Sequence, residues 1–294
     1  MKILTLSFVF LFIFSCAKTQ KVVSKNVAKD VKKVFDYQPM KIEIFNGFAK
    51  KIIVELPKEL IPLDLICNGK KVGFDKTDTG IRTFLSISYK FKKPTLICNL
   101  LTKDFEPLKV IEAVVKKYPY KEEFLKVPKK HVDLDPKSVK RWQREVAELN
   151  KVYKASILDR ALFNVSFDRP LSSVITSSYG KRRVFNNKKD AWHSGVDFRA
   201  RTPTKIPSAN RGKVVFIGHL FFNGKTVIID HGLGILTMYC HLSKITSELG
   251  EIVPKGAIVG ISGNTGRSNA PHLHWGVKVS GNWINGLSLI EQGI

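Results

Sequence analysis

The sequence predicts a mostly β protein, in which a small N-terminal β-sandwich and a C-terminal antiparallel β-sheet domain are joined by an amphipathic helix. Three observations predict this class. Between residues 38 and 125, short runs rich in β-branched and aromatic residues alternate with Gly, Pro, Asn and Asp. A run with helical periodicity follows, and beyond residue 157 the short apolar runs return, now punctuated by Gly.

Residues 1–36 are predicted to lie outside the fold. Lys2 precedes an apolar run from Ile3 to Phe14, which is too short to cross a membrane and is typical of a signal peptide. The following Ser15 and Cys16 complete a segment that resembles a bacterial lipobox, which implies cleavage before Cys16 and a lipid on its thiol. An ordinary secretory signal is the alternative. We therefore interpret residues 1–16 as a lipoprotein signal segment and the Lys-rich residues 17–36 as a tether.

Residues 37–126 are predicted to form the β-sandwich-like domain. Its candidate strands cover residues 41–45, 51–56, 63–67, 83–89, 95–98 and 108–114. Cys67 and Cys98 share the local sequence Leu-Ile-Cys-Asn, and export would expose both thiols to an oxidising compartment. They form either a disulfide or two small buried apolar residues. No cluster of acids, histidines or nucleophiles occurs in this region, so its role is expected to be positional.

Residues 127–156 are predicted to contain a linker and the connecting helix. Asp135 is placed to cap the helix and Pro136 to occupy its first turn. One face of the helix would carry Val139, Trp142, Val146, Leu149 and Val152. Packing against one of the β domains is favoured over lying on a membrane, because the apolar stripe is narrow and the opposite face has mixed charge.

The residues that carry chemistry fall in three short clusters. Four of the seven histidines and one aspartate lie in His193-Ser-Gly-Val-Asp197, Tyr239-Cys-His241 and His272-Leu-His274. Imidazole and carboxylate are ligands that zinc prefers. If residues 272–279 form a strand, both of the last two imidazoles leave the same face, so that one binds metal while its neighbour works beside it. This pattern predicts a zinc hydrolase site.

Residues from 175 to the C-terminus resemble the lysostaphin-type zinc metallopeptidases, a family of peptidoglycan endopeptidases. The matching segments are residues 175–183, 193–199, 230–234, 237–242, 253–256, 263–267 and 271–274. The resemblance implies a metallopeptidase domain at residues 157–294, with one Zn²⁺ held by His193, Asp197 and His274 and a fourth position open to water. It also implies that His241 and His272 are the catalytic pair.

The roles of the catalytic pair follow from acid–base chemistry. The chain has no H-E-x-x-H motif, so an imidazole has to act as the general base. We assign that role to His272 and stabilisation of the oxyanion to His241, although the two roles could be exchanged or shared. We interpret Cys240 as a small buried residue that faces away from His241, and not as the nucleophile of a cysteine protease.

Two shorter segments and two further histidines of the C-terminal domain also have predicted positions. Residues 253–260 are expected to form a Gly-punctuated hairpin, and the loop at residues 263–266 a wall of the substrate groove. His231 is expected to lie in a turn and His219 on the surface.

The resemblance implies a zinc-dependent endopeptidase that hydrolyses peptide bonds in peptidoglycan stems or cross-links during cell-wall remodelling. Two alternatives remain: a non-cleaving lipoprotein that binds the wall or activates a hydrolase, and an endopeptidase that acts on other envelope proteins. The net charge of +24 would attract anionic envelope polymers and lipids, and no nucleic-acid partner is expected for an exported chain. The expected location is the cell envelope, anchored by lipid on Cys16 to a membrane that faces the periplasm. The sequence leaves four questions open: the oligomeric state, which bond is cleaved, whether the wall is the cell's own or foreign, and whether the N-terminal domain inhibits or targets the enzyme.

Overall fold

The computed structural model describes residues 38–58, 60, 62–125, 134–185 and 189–293. The predictions for the signal segment, for Cys16 and for the tether at residues 17–36 lie outside the described residues, as does the start of the linker. The chain from Pro39 to Ile294 forms one compact unit. None of the helices that the structure describes is long and apolar enough to cross a membrane.

The N-terminal part contains two β-sheets, as the predicted sandwich requires. The larger sheet has the strand order β1-β8-β7-β3-β4 and the smaller one the order β2-β6-β5. Buried and exposed side chains alternate along β1 and β7, because each sheet buries one face. The strands are β1 (Met40–Phe45), β2 (Ala49–Glu55), β3 (Asp64–Cys67), β4 (Lys70–Val72), β5 (Phe74–Thr77), β6 (Gly80–Ser86), β7 (Thr95–Leu101) and β8 (Pro107–Lys116).

A disulfide joins Cys67 to Cys98. The two residues face each other directly across β3 and β7, so the repeated Leu-Ile-Cys-Asn segments are neighbouring strands. Of the two alternatives, the structure therefore selects the cross-link. Because it closes a loop between residues 31 positions apart in the chain, it stabilises the fold mainly by restricting the unfolded state, by about 4 kcal/mol.

The connecting helix α1 (Pro136–Lys154) begins where the sequence predicted. The carboxylate of Asp135 accepts a hydrogen bond from the backbone N–H of Ser138 at 3.0 Å, which caps the first turn. The C-terminal half of the helix packs against an apolar cluster of the C-terminal part through Leu149, Val152 and Tyr153. The predicted packing is therefore confirmed for this half of the helix.

The C-terminal part is built on an eight-stranded sheet with the order β10-β13-β21-β17-β16-β15-β19, in which β22 also pairs with β21. Two three-stranded sheets accompany it, with the orders β14-β20-β18 and β12-β11-β9. The elements are β9 (Glu122–Leu125), β10 (Ile175–Ser177), β11 (Arg182–Phe185), β12 (Lys189–Trp192), β13 (Gly195–Arg199), β14 (Lys205–Pro207), β15 (Gly212–Leu220), β16 (Gly224–Asp230), β17 (Ile235–Leu242), β18 (Lys244–Ile245), β19 (Ile252–Val253), β20 (Ile258–Ile261), β21 (His272–Val279), β22 (Asn282–Ile284) and the short helix α2 (Leu287–Glu291).

The two faces of the eight-stranded sheet have different surroundings. One face contributes Val196, Tyr239 and Trp275 to a core that also contains Phe84 from the N-terminal part. The opposite face carries, toward one end, the smaller apolar cluster against which α1 packs. The rest of that face holds polar side chains, and it is there that the histidine clusters meet.

The hairpin predicted at residues 253–260 is wrong. Strand β19 pairs with β15 of the large sheet, whereas β20 pairs with β14 and β18 of a small sheet. The turn between them, which includes Gly256 at a φ of +80°, carries the chain from one sheet to the other. The apolar runs and the turn signal were correct, but neither feature specifies which strand becomes the hydrogen-bonding partner.

His231 lies in the turn after β16, as predicted, yet its side chain is fully buried. Its Nδ1 donates to the carbonyl of Arg211 at 2.8 Å, and its Nε2 lies 2.8 Å from the hydroxyl of Thr237. Burial lowers the pKa of His231 to about 4, because a charged imidazolium would lose its hydration there. The exposed side chain of His219 agrees with the surface position predicted for it.

Acidification is expected to destabilise the protein through His231. In the unfolded chain the imidazole takes a proton near pH 6.5, whereas in the folded chain it does so only near pH 4. Between these values the unfolded state binds more protons, so the free energy of unfolding falls as pH falls, by about 3 kcal/mol from this group. Urea unfolding of wild type and His231→Gln from pH 7 to pH 4 would measure the difference in slope. His219→Gln is the control, and equal slopes for wild type and His231→Gln would contradict the expectation.

Candidate active site

The three predicted metal ligands converge on one point at the polar face of the eight-stranded sheet. Asp197 on β13 pairs in register with His274 on β21, and His193 comes two residues before β13 begins. The Nε2 atom of His193 lies 3.0 Å from Oδ1 of Asp197 and 3.1 Å from Nδ1 of His274. The last two atoms are 2.8 Å apart. All three potential ligand atoms therefore lie within 4.8 Å of one another.

The donor atoms fit a metal ion. Nδ1 of His193 donates to the backbone carbonyl of Ser178 at 2.8 Å, so its Nε2 carries the lone pair. Nε2 of His193, Oδ1 of Asp197 and Nδ1 of His274 converge on one point, where a single cation could be held by all three atoms. Tetrahedral coordination at about 2.0–2.2 Å spaces ligand atoms about 3.3 Å apart, close to the distances found here.

The electrostatics keep the ligand residues in the forms that bind metal. Burial disfavours the charged form of Asp197, but the close interactions with the imidazoles of His193 and His274 outweigh this effect and hold the pKa of the carboxyl below its ordinary value. Burial lowers the pKa of His274. An ionised carboxylate and neutral imidazoles are the protonation states that coordination requires.

Gly195 makes room for the imidazole of His274. A Cβ atom at this position would lie 2.5 Å from the carbonyl oxygen of Trp275 and 2.7 Å from Cε1 of His274. Any side chain here would displace the ligand or the strand that carries it. Gly195 is part of the His193-to-Asp197 cluster in the sequence, but only the structure explains why a glycine is needed there.

The two remaining histidines of the pattern lie beside the metal site. The rings of His241 and His272 have centroids 4.6 Å apart, and Nε2 of His272 lies 3.8 Å from Oδ1 of Asp197. Nδ1 of His272 donates to the carbonyl of Ala270 at 2.8 Å, and Nδ1 of His241 donates to the carbonyl of Thr265 at 2.8 Å. Each neutral ring therefore presents its Nε2 lone pair as an acceptor.

The backbone at His241 has an unusual conformation. Its φ is +61°, in the left-handed region that costs a non-glycine residue about 1–2 kcal/mol. The backbone N–H of His241 donates to the carbonyl of Asn223 at 2.8 Å, which supports the distortion. The distortion brings the ring of His241 beside that of His272, at the end of β17. Burial lowers the pKa of His241 to about 4.

The predicted orientation of Cys240 is wrong. Cys240 pairs in register with His274, so its side chain shares the face of the sheet that carries the metal ligands. The expected alternation fails because the left-handed backbone at His241 interrupts the pleat. The thiol is fully buried in the cluster below α1, and burial raises its pKa to about 12. Cys240 therefore has neither the exposure nor the thiolate character of a nucleophile, in agreement with the interpretation from the sequence.

The residues that orient the histidines were not identified from the sequence. They act through the backbone carbonyls of Ser178, Thr265 and Ala270, and a carbonyl is present at every position of the chain. Ser268 adds a hydroxyl 3.0 Å from Nδ1 of His272. The sequence contained one signal for these residues: the loop at residues 263–266, which is predicted to form a wall of the substrate groove, contains Thr265.

Part of this chain is similar in sequence to known proteins. Residues 191–286 match the family described as Peptidase family M23. The peptidoglycan DD-endopeptidase ShyA of Vibrio cholerae is 38% identical over 114 residues, which cover 38% of this chain and 26% of that protein. The DD-carboxypeptidase/endopeptidase Mpg of Neisseria meningitidis is 35% identical over 97 residues, which cover 33% of this chain and 22% of that protein. The chain thus spans about a quarter of the length of these curated relatives.

A solved structure extends the likeness beyond the peptidase sheet. A crystal structure assigned to peptidase M23 from Pseudomonas aeruginosa has 27% sequence identity and a TM-score of 0.66, covering 90% of this chain and 99% of that one. The mostly β architecture and the antiparallel sheet are therefore those of a known structure. Within the C-terminal part of this chain, residues 191–286 are thus similar to Peptidase family M23.

Proposed function

We propose that this protein is a zinc-dependent endopeptidase that hydrolyses peptide bonds in peptidoglycan stems or cross-links. The observation that carries the proposal is the arrangement of five side chains at one site: three metal-ligand atoms, with a pair of imidazoles beside them. The name of the similar protein from Vibrio supports peptidoglycan as the substrate, and the names of both the Vibrio and the Neisseria proteins support a bond between D-amino acids as the target.

In the proposed enzyme, His193, Asp197 and His274 would hold the zinc ion through two nitrogens and one oxygen. The ion would act as a Lewis acid and lower the pKa of a water molecule to about 7. His272 would accept a proton from the attacking water at Nε2, because its Nδ1–H is held by the carbonyl of Ala270. This hydrogen bond fixes both the tautomer and the direction of the ring.

In this proposal, His241 acts on the negatively charged oxygen and on the departing amine, and not on the attacking water. Its neutral form offers only an acceptor at Nε2, because Nδ1–H is bonded to Thr265. It therefore stabilises a negatively charged oxygen only once Nε2 carries a proton, and in this proposal that proton is the one His272 takes from the water, passed between two rings whose centroids are 4.6 Å apart. The pKa of about 4 makes the protonated ring a strong acid, well suited to pass that proton to the departing amine.

The proposed location follows from the N-terminal sequence and from the substrate. Export by the signal segment and a lipid on Cys16 would place the enzyme in the cell envelope, on a membrane that faces the periplasm. The tether at residues 17–36 would let the folded unit reach the wall from that anchor.

The test uses the soluble chain from Ala17 to Ile294, which retains the whole compact unit. The chain is incubated with purified peptidoglycan sacculi, with zinc or with a chelator, and released muropeptides are identified by mass spectrometry. We expect chelator-sensitive conversion of cross-linked dimers to monomers. Binding to sacculi without cleavage would instead favour the non-cleaving wall protein. Cleavage of envelope proteins but not of sacculi would favour the alternative substrate.

A further inference from the structure

Arg199 lies on the polar face of the eight-stranded sheet, the face that carries Asp197 and His274. It is the last residue of β13, two positions after Asp197, so both side chains leave the same face. Val196 and Phe198, which alternate with them, are buried in the opposite core. Across the sheet, Arg199 pairs directly with His272, and the Cβ atoms of such a pair are about 5 Å apart. An arginine therefore stands beside the proposed general base.

The guanidinium of Arg199 is available to a ligand. Its side chain is exposed, and within the described residues it makes no ion pair or side-chain hydrogen bond. Other arginines of the described chain are occupied: Arg82 pairs with Asp75, and Arg182 with Glu122. The backbone N–H of Arg199 donates to the carbonyl of Val174 at 2.9 Å, which holds the strand in place and leaves the side chain unconstrained.

A planar guanidinium recognises carboxylates with two parallel hydrogen bonds, and it remains charged at every relevant pH. Beside a site that hydrolyses peptides, such a group binds an anionic part of the substrate close to the scissile bond. We propose that Arg199 is a specificity-determining residue that binds a carboxylate of the substrate peptide. This inference rests on the proposed function, because it takes peptidoglycan stem peptides as the source of the carboxylate.

Stem peptides offer this chemistry from two sources. One is the side-chain carboxylate of a diaminopimelyl residue at the cross-link, and the other is the α-carboxylate at the end of the stem. Both are lost on amidation, which changes the charge while keeping the size of the group nearly constant. Substrates that differ only in amidation therefore isolate the interaction with Arg199.

The experiment compares three synthetic cross-linked stem dimers with the zinc-loaded soluble chain. One dimer has both carboxylates free, one is amidated at the diaminopimelyl carboxylate, and one at the terminal α-carboxylate. We expect one amidation to lower kcat/KM of the wild type about 10- to 100-fold, and Arg199→Gln to lower kcat/KM for the free dimer equally. Arg199→Gln should then be indifferent to that amidation, and Arg199→Lys should lie between. The amidation that has the effect identifies the source.

The matched control is Arg144→Gln, which removes one exposed arginine from α1 and changes the net charge by the same amount. It should leave the discrimination between free and amidated dimers unchanged. If Arg199→Gln lowers kcat/KM equally for all three dimers, the residue acts through the fold or through His272, and the proposal is wrong. It is also wrong if Arg199→Gln changes none of them.

A binding measurement separates this proposal from the proposed activity. Calorimetric titration with a stem tetrapeptide that has no cross-link, free or amidated, does not depend on cleavage. If wild type cleaves no dimer but binds the free tetrapeptide more tightly, and Arg199→Gln abolishes the preference, the carboxylate site stands and the endopeptidase proposal fails. If neither tetrapeptide is preferred while dimers are cleaved without discrimination, the endopeptidase proposal stands and the carboxylate site proposed at Arg199 is wrong.

Discussion

Replacement of Asp197 with asparagine is expected to abolish both metal binding and hydrolysis. Asp197 supplies the only carboxylate of the ligand set, and its Oδ1 lies within 3.0 Å of both histidine ligands. An amide oxygen carries no net charge, so the variant would hold a divalent ion far more weakly, and the rate should fall roughly 1000-fold or more. Zinc per chain, measured by mass spectrometry after dialysis, and muropeptide release from sacculi check the two effects.

The control for this variant is Asp168→Asn. Asp168 is an exposed carboxylate that pairs with Lys255 at 2.9 Å, so its replacement removes the same charge from the surface. It should retain about one zinc per chain and the wild-type rate. Circular dichroism would establish that both variants are folded. Stoichiometric zinc and normal hydrolysis in Asp197→Asn would show that the ion is held elsewhere.

His272→Ala is expected to separate catalysis from metal binding. His272 lies beside the ligand atoms, yet its Nδ1 is held by Ala270 and it is not one of the three ligands. Loss of a general base lowers kcat by about 10²- to 10⁴-fold. The zinc content should remain that of the wild type, unlike in Asp197→Asn. Turnover of a cross-linked muropeptide, together with zinc analysis of the same sample, measures both quantities.

Two further histidine variants interpret that result. His219→Ala removes an exposed imidazole that is not one of the five site residues and should leave turnover unchanged. His241→Ala tests the division of roles within the catalytic pair. If His272→Ala retains most of its turnover while His241→Ala loses it, the general base is His241, and the roles assigned here are exchanged.

The sequence was informative about the site because its chemistry depends on residue type. Histidine and aspartate are scarce enough that their clustering around residues 193, 241 and 272 is a strong signal. Because side chains alternate between the two faces of a strand, His272 and His274 were predicted to share one face. Strand β21 runs from His272 to Val279, as that prediction required. The helix cap at Asp135 was equally local, since one side chain bonds a backbone group three residues away.

Where sequence reasoning failed, the missing information was long-range. The segment at residues 253–260 contains correct strands and a correct turn, but its two strands pair in different sheets. The faces of Cys240 and His241 depended on one left-handed residue, and histidine gives no local sign of adopting it. Local pattern specifies what a segment is, whereas its partner is set by packing between distant parts of the chain.

The sequence by itself determined the side-chain chemistry of this protein: two imidazoles and a carboxylate for a metal, and two more imidazoles for proton transfer. Only the tertiary structure decided how that chemistry is aimed. It placed the carbonyls of Ser178, Thr265 and Ala270 on the ring nitrogens, and it placed Arg199 opposite His272. Carbonyls occur at every residue and arginines throughout a basic chain, so these groups gain a role only when distant strands bring them beside the site.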